Sequence, residues 1–233
     1  MCGRYTLFTP AEELAERFGA KRPDVEPRYN CAPGQALPVV TGADPDRFAR
    51  QQWGLIPEWA DDDSNPPINA RAETITEKPT FADAVAHRRC LVPADGFYEW
   101  VSREGGKRPY RVAFEDDRPF AMAGIWSRWE PPSRQTGLGE FGDGGASSDA
   151  DPVHSFAIVT TEPNDLVSDL HHRMAVVLDP DQESTWLHGS VEEALGCCEP
   201  VPADDLTAYP VSTRVNDPRN DDSSLVERAD GSA

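Results

Sequence analysis

The stretch Met1-Cys2-Gly3-Arg4-Tyr5 places a cysteine where loss of Met1 leaves it at the amino terminus, with an α-amine and a thiol on adjacent carbons. Unperturbed, such an amine titrates at about 7.7–8.0 and such a thiol at about 8.5, so near neutral pH both nucleophiles are partly available. An aldehyde is condensed by the amine to an imine and then closed by the sulfur into a five-membered thiazolidine. The plainer alternative, that Cys2 is only a small residue after the initiator methionine, stays open on these five residues.

Other residues further along the chain are equipped for chemistry. In Cys90-Leu91-Val92-Pro93-Ala94-Asp95-Gly96-Phe97-Tyr98-Glu99-Trp100, Glu99 sits between two aromatic residues beside an Asp-Gly turn signal. A carboxylate desolvated in such company has its pKa raised towards neutrality, which suits a general acid or base; an exposed strand Glu is the alternative. In Ile68 to Thr74, alternation puts Asn69, Arg71 and Glu73 on one face if the segment is extended. Adjacent His171 and His172 invite a metal reading, but neighbours in sequence point to different faces, so His171 is expected inward and His172 outward. Trp59 lies in the aromatic, turn-rich run Trp53-Gly54-Leu55-Ile56-Pro57-Glu58-Trp59. Core packing suits Trp53, whereas Trp59 is equally well read as core or as a stacking platform for bases.

The elements that must position these residues are short. Thr9-Pro10-Ala11-Glu12 predicts a helix start, with Thr9 as N-cap and Glu12 closing a capping box, and Gly19 ends that helix. Arg28 to Gly34 reads as a shaped loop. Leu37–Val40 and Phe48–Trp53 predict a hairpin turning at Asp44-Pro45-Asp46, and Glu104-Gly105-Gly106 predicts another. A helix is expected over Thr80–Arg88, strands over Phe120–Trp126, Phe156–Thr160 and Ala175–Leu178, and a short helix capped at Asn164-Asp165. Two further helices follow over Asp181–Leu187 and Val191–Cys197, then a last strand within Tyr209–Asn216. The Gly/Ser/Asp-rich stretch from Arg128 to Pro152 reads as a mobile insertion, and the charged tail from Asp217 as disordered. Many short strands and hairpins with few helices define an α+β, antiparallel-rich single domain.

Composition limits the setting. No apolar run approaches the roughly 18 residues that span a bilayer, and no secretion signal is apparent, so an intracellular protein is expected. Five cysteines without paired CxxC motifs argue against a disulfide framework and a structural zinc site; no metal or cofactor is expected. The net charge of −19, with lysine confined to Lys21, Lys78 and Lys107, resembles salt-adapted proteins. Such a surface repels nucleic acid at low salt, but at about 1 M salt the Debye length is about 3 Å, so local arginines can still hold DNA.

Taken together and in order, MCGRY, RYNCAPG, WGLIPEW, INARAET, CLVPADGFYEW, LHHRM and PVSTRVN resemble the SRAP (SOS response-associated peptidase) family from Met1 to about Asn220, interrupted by the acidic insertion at 130–153 and followed by the tail 221–233. The resemblance implies an open, barrel-like antiparallel sheet with flanking short helices. It implies an abasic site processing protein of the DNA damage response, with lyase- or peptidase-like chemistry. Its mature N-terminal cysteine would link to the ring-opened aldehyde of an abasic site in single-stranded DNA. On this resemblance Cys2 is the linking residue, Asn69 positions the adduct, Glu99 is the acid/base and His171 assists sugar opening. Arg4, Arg71, Thr160 and Arg173 contact the DNA backbone, and Pro33 and Trp59 fall in loops that splay the strand. The implied partner is single-stranded DNA containing abasic sites, bound by a monomer that is nucleoid-associated when on DNA, with no membrane contact.

Two rivals remain at this stage. An N-terminal Cys-Gly also opens glutamine amidotransferases of the N-terminal-nucleophile type, which have a layered αββα fold. A non-covalent single-strand binder would use Trp59 and the arginines alone.

Overall fold

A computed structural model describes residues 2–103, 106–132 and 151–229. Strand β1 (Tyr5–Leu7) leads into helix α1 (Ala11–Phe18), which Gly19 closes in the left-handed conformation at φ 60°. Thr9 does not cap this helix. Its backbone N–H and its hydroxyl both donate to the buried carboxylate of Asp95, at 2.9 and 3.1 Å, while Pro10 stands at the cap position and no side chain accepts from the first-turn N–H groups. Arg28 to Cys31, expected as a loop, forms strand β2 (Arg28–Cys31) because β1 pairs with it. Strands β3 (Ala36–Thr41) and β4 (Asp44–Trp53) make the expected hairpin, but it turns at Gly42-Ala43, two residues earlier than the Asp-Pro signal suggested.

Strand β5 (Asn69–Arg71) gives way to a 3-10 turn over Ala72–Thr74, so the extended alternation stops at Arg71. Helix α2 (Pro79–His87) and strands β6 (Arg89–Ala94), β7 (Gly96–Arg103), β8 (Gly106–Phe114), β9 (Phe120–Trp129) and β10 (Val153–Thr161) follow. The turn at Glu104-Gly105 and the core of the insertion, 133–150, lie outside the described residues. The strands flanking each pair with one another, Arg103 opposite Gly106 and Trp129 opposite Val153. The chain then runs through α3 (Asp165–Ser168), β11 (Met174–Ala175), β12 (Val177–Leu178), α4 (Pro180–His188), α5 (Val191–Gly196) and β13 (Leu206–Pro210). Asn164 caps α3 as expected, accepting from Val167 N at 2.9 Å. The last expected strand covers only part of its segment, since Thr213–Asn216 coils into a 3-10 turn.

The strands form two sheets. One runs β13-β8-β7-β1-β2; in the other, β10-β4-β3-β6-β9 closes on itself where β9 pairs with β10. Pairing is antiparallel except where β10 runs parallel to β4 and β5. The period-2 alternation of the ring strands divides the core. Leu37, Val39, Val92, Met122, Phe156 and Ile158 pack with Tyr5, Leu7, Phe97 and Val112 of the other sheet. Val40, Leu91, Ala123, Ile125 and Val159 face Val85 of α2, Trp186 of α4 and Ala194 of α5. The architecture is α+β and barrel-like, and it contradicts the four-layer αββα arrangement of the amidotransferase alternative.

The expectation of a disordered tail is overturned as far as Ala229. Asp221 accepts the backbone N–H groups of Tyr29 and Asn30 at 2.5 and 3.0 Å and pairs with Arg28, while Leu225 is fully buried beside Tyr98, Val211 and Val215. Asn30 answers by donating to the carbonyls of Val215, Asp217 and Asn220. A polar sequence hid this order because one carboxylate, rather than an apolar stripe, supplies the staple. Asp221→Ala strands two partly buried N–H donors and a guanidinium, and is expected to cost about 2–4 kcal/mol in urea unfolding. A loss below about 0.5 kcal/mol would show that the staple carries no stability.

Candidate active site

The pairing of β1 with β7 extends past Tyr5, where Tyr98 N donates to Arg4 O at 3.0 Å, and this lays the first residues of the chain along β7. On β7, Phe97 faces the core while Tyr98 packs on the opposite face, so Glu99 shares the inward face of Phe97. Glu99 is 1% exposed, which removes the reading of it as a solvated strand residue. Gly3, Arg4, Glu99 and His171, with Trp100, Lys107 and Asn216, line one cleft of about 420 Å³. Cys2 is fully buried beside it. From β5, Asn69 Nδ2 donates to Cys2 O at 2.9 Å and fixes this residue's backbone. Asn69 Oδ1 is buried with no partner among the described residues, an acceptor available to a new N–H or O–H at Cys2.

Burial sets the protonation states. Glu99 is pushed from its ordinary 4.5 up to about 7 by desolvation, against the pull of the amino-terminal positive charge. His171 is lowered, first by burial and then by the amino-terminal charge and His172, so it is neutral at pH 7. Its Nδ1 lies 3.0 Å from Arg173 N and 3.3 Å from Arg173 O, so the Arg173 backbone holds the ring at Nδ1, and with the proton on Nδ1, donated to that carbonyl, Nε2 is left as the base. His171 is half-buried and His172 exposed, as expected, with their rings stacked 4.2 Å apart. The Cys2 thiol departs from the sequence expectation. Full burial, and next the charge of Glu99, raise it far above the ordinary thiol range, so it is held as a thiol and not partly as thiolate.

The structure therefore brings Cys2, Asn69, Glu99, His171 and Arg4 together. Arg71 is exposed at the end of β5, two residues beyond Asn69. Trp59 is 65% exposed, which excludes the core reading; it borders separate clefts with Pro57, Pro79, Thr80 and the acidic loop Asp61–Asp63. Pro33 is exposed in the turn after β2, also away from the cleft lining. Thr160 and Arg173, implied to meet the DNA backbone, are 0% and 8% exposed and turned inward, because Thr160 lies in the middle of paired strands and Arg173 forks onto Glu73. Sequence reasoning missed Trp100, Lys107 and Asn216. Trp100 Nε1 donates to Asn216 Oδ1 at 2.7 Å, closing one wall. The scarcity of lysine was the available signal for Lys107, whereas the Trp100–Asn216 contact spans 116 residues and leaves no local pattern.

A barrel-like α+β fold that buries its second residue, a cysteine, beside a cleft holding a carboxyl near neutrality and a neutral imidazole is the arrangement to set against known proteins. The chain belongs to the SRAP family, described as SOS response associated peptidase, which it matches over residues 1–218. It is 36% identical to the abasic site processing protein YoqW of Bacillus subtilis, over 97% of this chain and 99% of that one. It is 33% identical to the abasic site processing protein HMCES of Gallus gallus, over 84% of this chain and 64% of that one. A crystal structure of a protein from Bacteroides thetaiotaomicron has the same fold, with a TM-score of 0.82 and 26% identity over 98% of this chain and all of that one.

Proposed function

We propose that this chain, once Met1 is removed, binds single-stranded DNA and captures abasic sites through Cys2 as a thiazolidine, shielding the lesion. The observation that carries the reading is Cys2 held by Asn69 beside a carboxyl poised near 7 and a neutral imidazole. The names of the relatives support it.

The reaction uses each group in turn. His171 takes the C1 hydroxyl proton of the closed sugar while the ring oxygen receives a proton from Glu99, which frees the aldehyde. The Cys2 amine adds to C1 and passes its surplus proton to the Glu99 carboxylate while the imidazolium of His171 returns its proton to the new alkoxide; Glu99 then protonates the departing hydroxyl, so that water leaves, and takes the proton left on nitrogen as the imine forms. The thiol then adds to C1 and its proton passes to the imine nitrogen, closing the ring. A thiol that waits protonated and buried suits this order, because sulfur is needed only after the imine exists. Asn69 Oδ1 holds the nitrogen without competing as a base. Release of Met1 by the chain itself, the peptidase step in the family's description, belongs to the same proposal.

DNA contact is assigned to Arg4 and Arg71 and to the loops of Pro33 and Trp59. Arg4 and Arg71 have no carboxylate at ion-pair distance among the described residues, whereas Arg17, Arg28, Arg88, Arg118, Arg128, Arg214 and Arg219 do. The protein acts as a monomer inside the cell, at the nucleoid. Among the described residues, no helix is long and apolar enough to cross a membrane.

Two substrates test the reading. Wild type is expected to form a denaturation-resistant adduct with an abasic oligonucleotide and with one carrying a permanently open-chain aldehyde, and none with intact DNA. His171→Ala is expected to slow the first by about 10²-fold and the second by less than about threefold. Equal defects on both substrates would remove the special link of His171 to ring opening, and binding without any adduct would leave a simple single-strand binder.

A further inference from the structure

Just past the C-terminal end of α2, the chain buries an arginine that no acid meets. Among the described residues, Arg111, Arg173 and Arg89 are the buried arginines; the first pairs with Asp117 at 2.6 Å and the second with Glu73 at 2.7 Å, but Arg89 has no carboxylate at ion-pair distance. Its Nη1 donates to Val85 O at 2.9 Å and its Nη2 to Gly189 O, which ties the last turn of α2 to the turn between α4 and α5. These are neutral acceptors and use two of the five guanidinium N–H groups, while Nε is sealed in without a partner among the described residues. A charge taken out of water without an opposite charge is costly, so this place keeps an unmet positive potential.

Arg89 lines a cavity of about 350 Å³ together with His87, His188, Trp126 and the Gly42-Ala43 turn. No Asp or Glu lines it, although the chain holds 41 of them, whereas two of the five histidines do. Gly42 shapes the rim: a Cβ there would lie 3.0 Å from Leu187 O and 3.6 Å from His188 Cε1, so its absence lets the turn close against the end of α4. None of these residues lines the cysteine cleft. A guanidinium supplies a fixed charge and a fork of donors, and an imidazole offers an N–H in either protonation state, a set that suits the several acceptor oxygens of a phosphate group.

We propose that this cavity is a second ligand site, separate from the cysteine cleft, which takes a phosphate group on Arg89, His87 and His188. The bound anion supplies the countercharge that Arg89 lacks, so occupancy stabilises the fold. The same chemistry is carried by inorganic phosphate and by a nucleoside monophosphate, whose base would meet Trp126. Nothing here rests on the capture reading above.

Thermal unfolding and calorimetric titration test this with inorganic phosphate, adenosine 5′-monophosphate, adenosine and acetate, all at one ionic strength so that screening is the same in every arm. Saturating phosphate or nucleotide should raise the wild-type Tm by roughly 2–4 °C, and adenosine and acetate by less than about 1 °C. The two supporting outcomes differ in source: a nucleotide that binds about tenfold more tightly than phosphate assigns a base stacked on Trp126, and equal affinity assigns inorganic phosphate. The double variant His87→Ala/His188→Ala changes two exposed side chains, so it should fold as wild type and weaken phosphate binding by roughly tenfold. Its adduct formation with abasic DNA should stay within about twofold of wild type, because the cysteine cleft is untouched. Arg89→Met should abolish phosphate binding; should it fail to fold, the histidine variant carries the test. No binding of either phosphate compound by wild type overturns the proposal and leaves Arg89 a staple between α2 and the α4–α5 turn. Stabilisation by acetate equal to that by phosphate overturns it too, as does phosphate affinity unchanged in the histidine variant.

Discussion

Cys2→Ala is expected to abolish the adduct with abasic single-stranded DNA that survives denaturation without reductant, while non-covalent binding to the same strand stays within about twofold of wild type. Alanine keeps the small, buried volume of this position and the backbone carbonyl that Asn69 holds. It also leaves Arg4 and Arg71, the assigned phosphate contacts, in place. What it deletes is the sulfur that closes the ring. Cys2→Ser separates the two nucleophilic steps: it keeps the amine, so an imine that borohydride can trap should still form, but a stable adduct without reductant should not. Serine matching wild type would show that the thiol is not the trap. The buried setting of the thiol adds a kinetic expectation. Because it is held protonated near neutral pH, the wild-type rate should not rise across pH 8–9 as it would if thiolate formation limited it.

Glu99→Gln should slow capture of closed and open-chain aldehydes alike, by roughly 10²–10⁴-fold, since protonation of a departing hydroxyl is common to both. The wild-type rate should fall as pH rises through about 7, where the buried carboxyl loses its proton, and the variant should lack that limb. Linkage gives an independent check. The folded-state pKa lies above the ordinary 4.5, so the folded chain holds a proton that the unfolded chain gives up. Stability is therefore full below about 4.5 and declines as pH climbs to 7, by a term on the order of 3 kcal/mol. Glutamine carries no such term, so Glu99→Gln should raise the Tm at pH 8 relative to its effect at pH 5. A variant with unimpaired crosslinking would leave Glu99 a buried strand residue without a catalytic part.

Much of this was legible in the sequence where one segment carries the signal. The hairpins, α2 to α5 and the inward placement of His171 follow from local alternation and caps, and of the two readings the aromatic flanks of Glu99 left open, burial selects the desolvated carboxyl. What failed depends on partners far along the chain. Thr9 has the makings of a cap until Asp95, 86 residues away, claims it. Arg28–Cys31 looks irregular until β1 and Asp221 supply its hydrogen bonds. Arg173 looks like a surface cation until Glu73 meets it. The thiol of Cys2 was read from solution values, which omit the burial that sets its state. Gly96 shows the same dependence: a Cβ there would lie 2.8 Å from Arg111 Nε, and that guanidinium holds Asp95 O, a contact no turn signal encodes.

The central claim concerns one bond arrangement, and intact-mass spectrometry measures it directly. The wild-type chain is incubated with an oligonucleotide holding a single abasic site, then denatured without reductant. The predicted species is the chain lacking Met1 plus the oligonucleotide less one water, with digestion mapping the linkage to Cys2 and leaving no free thiol there. An unmodified chain, or an adduct on a chain that still carries Met1, would contradict the account.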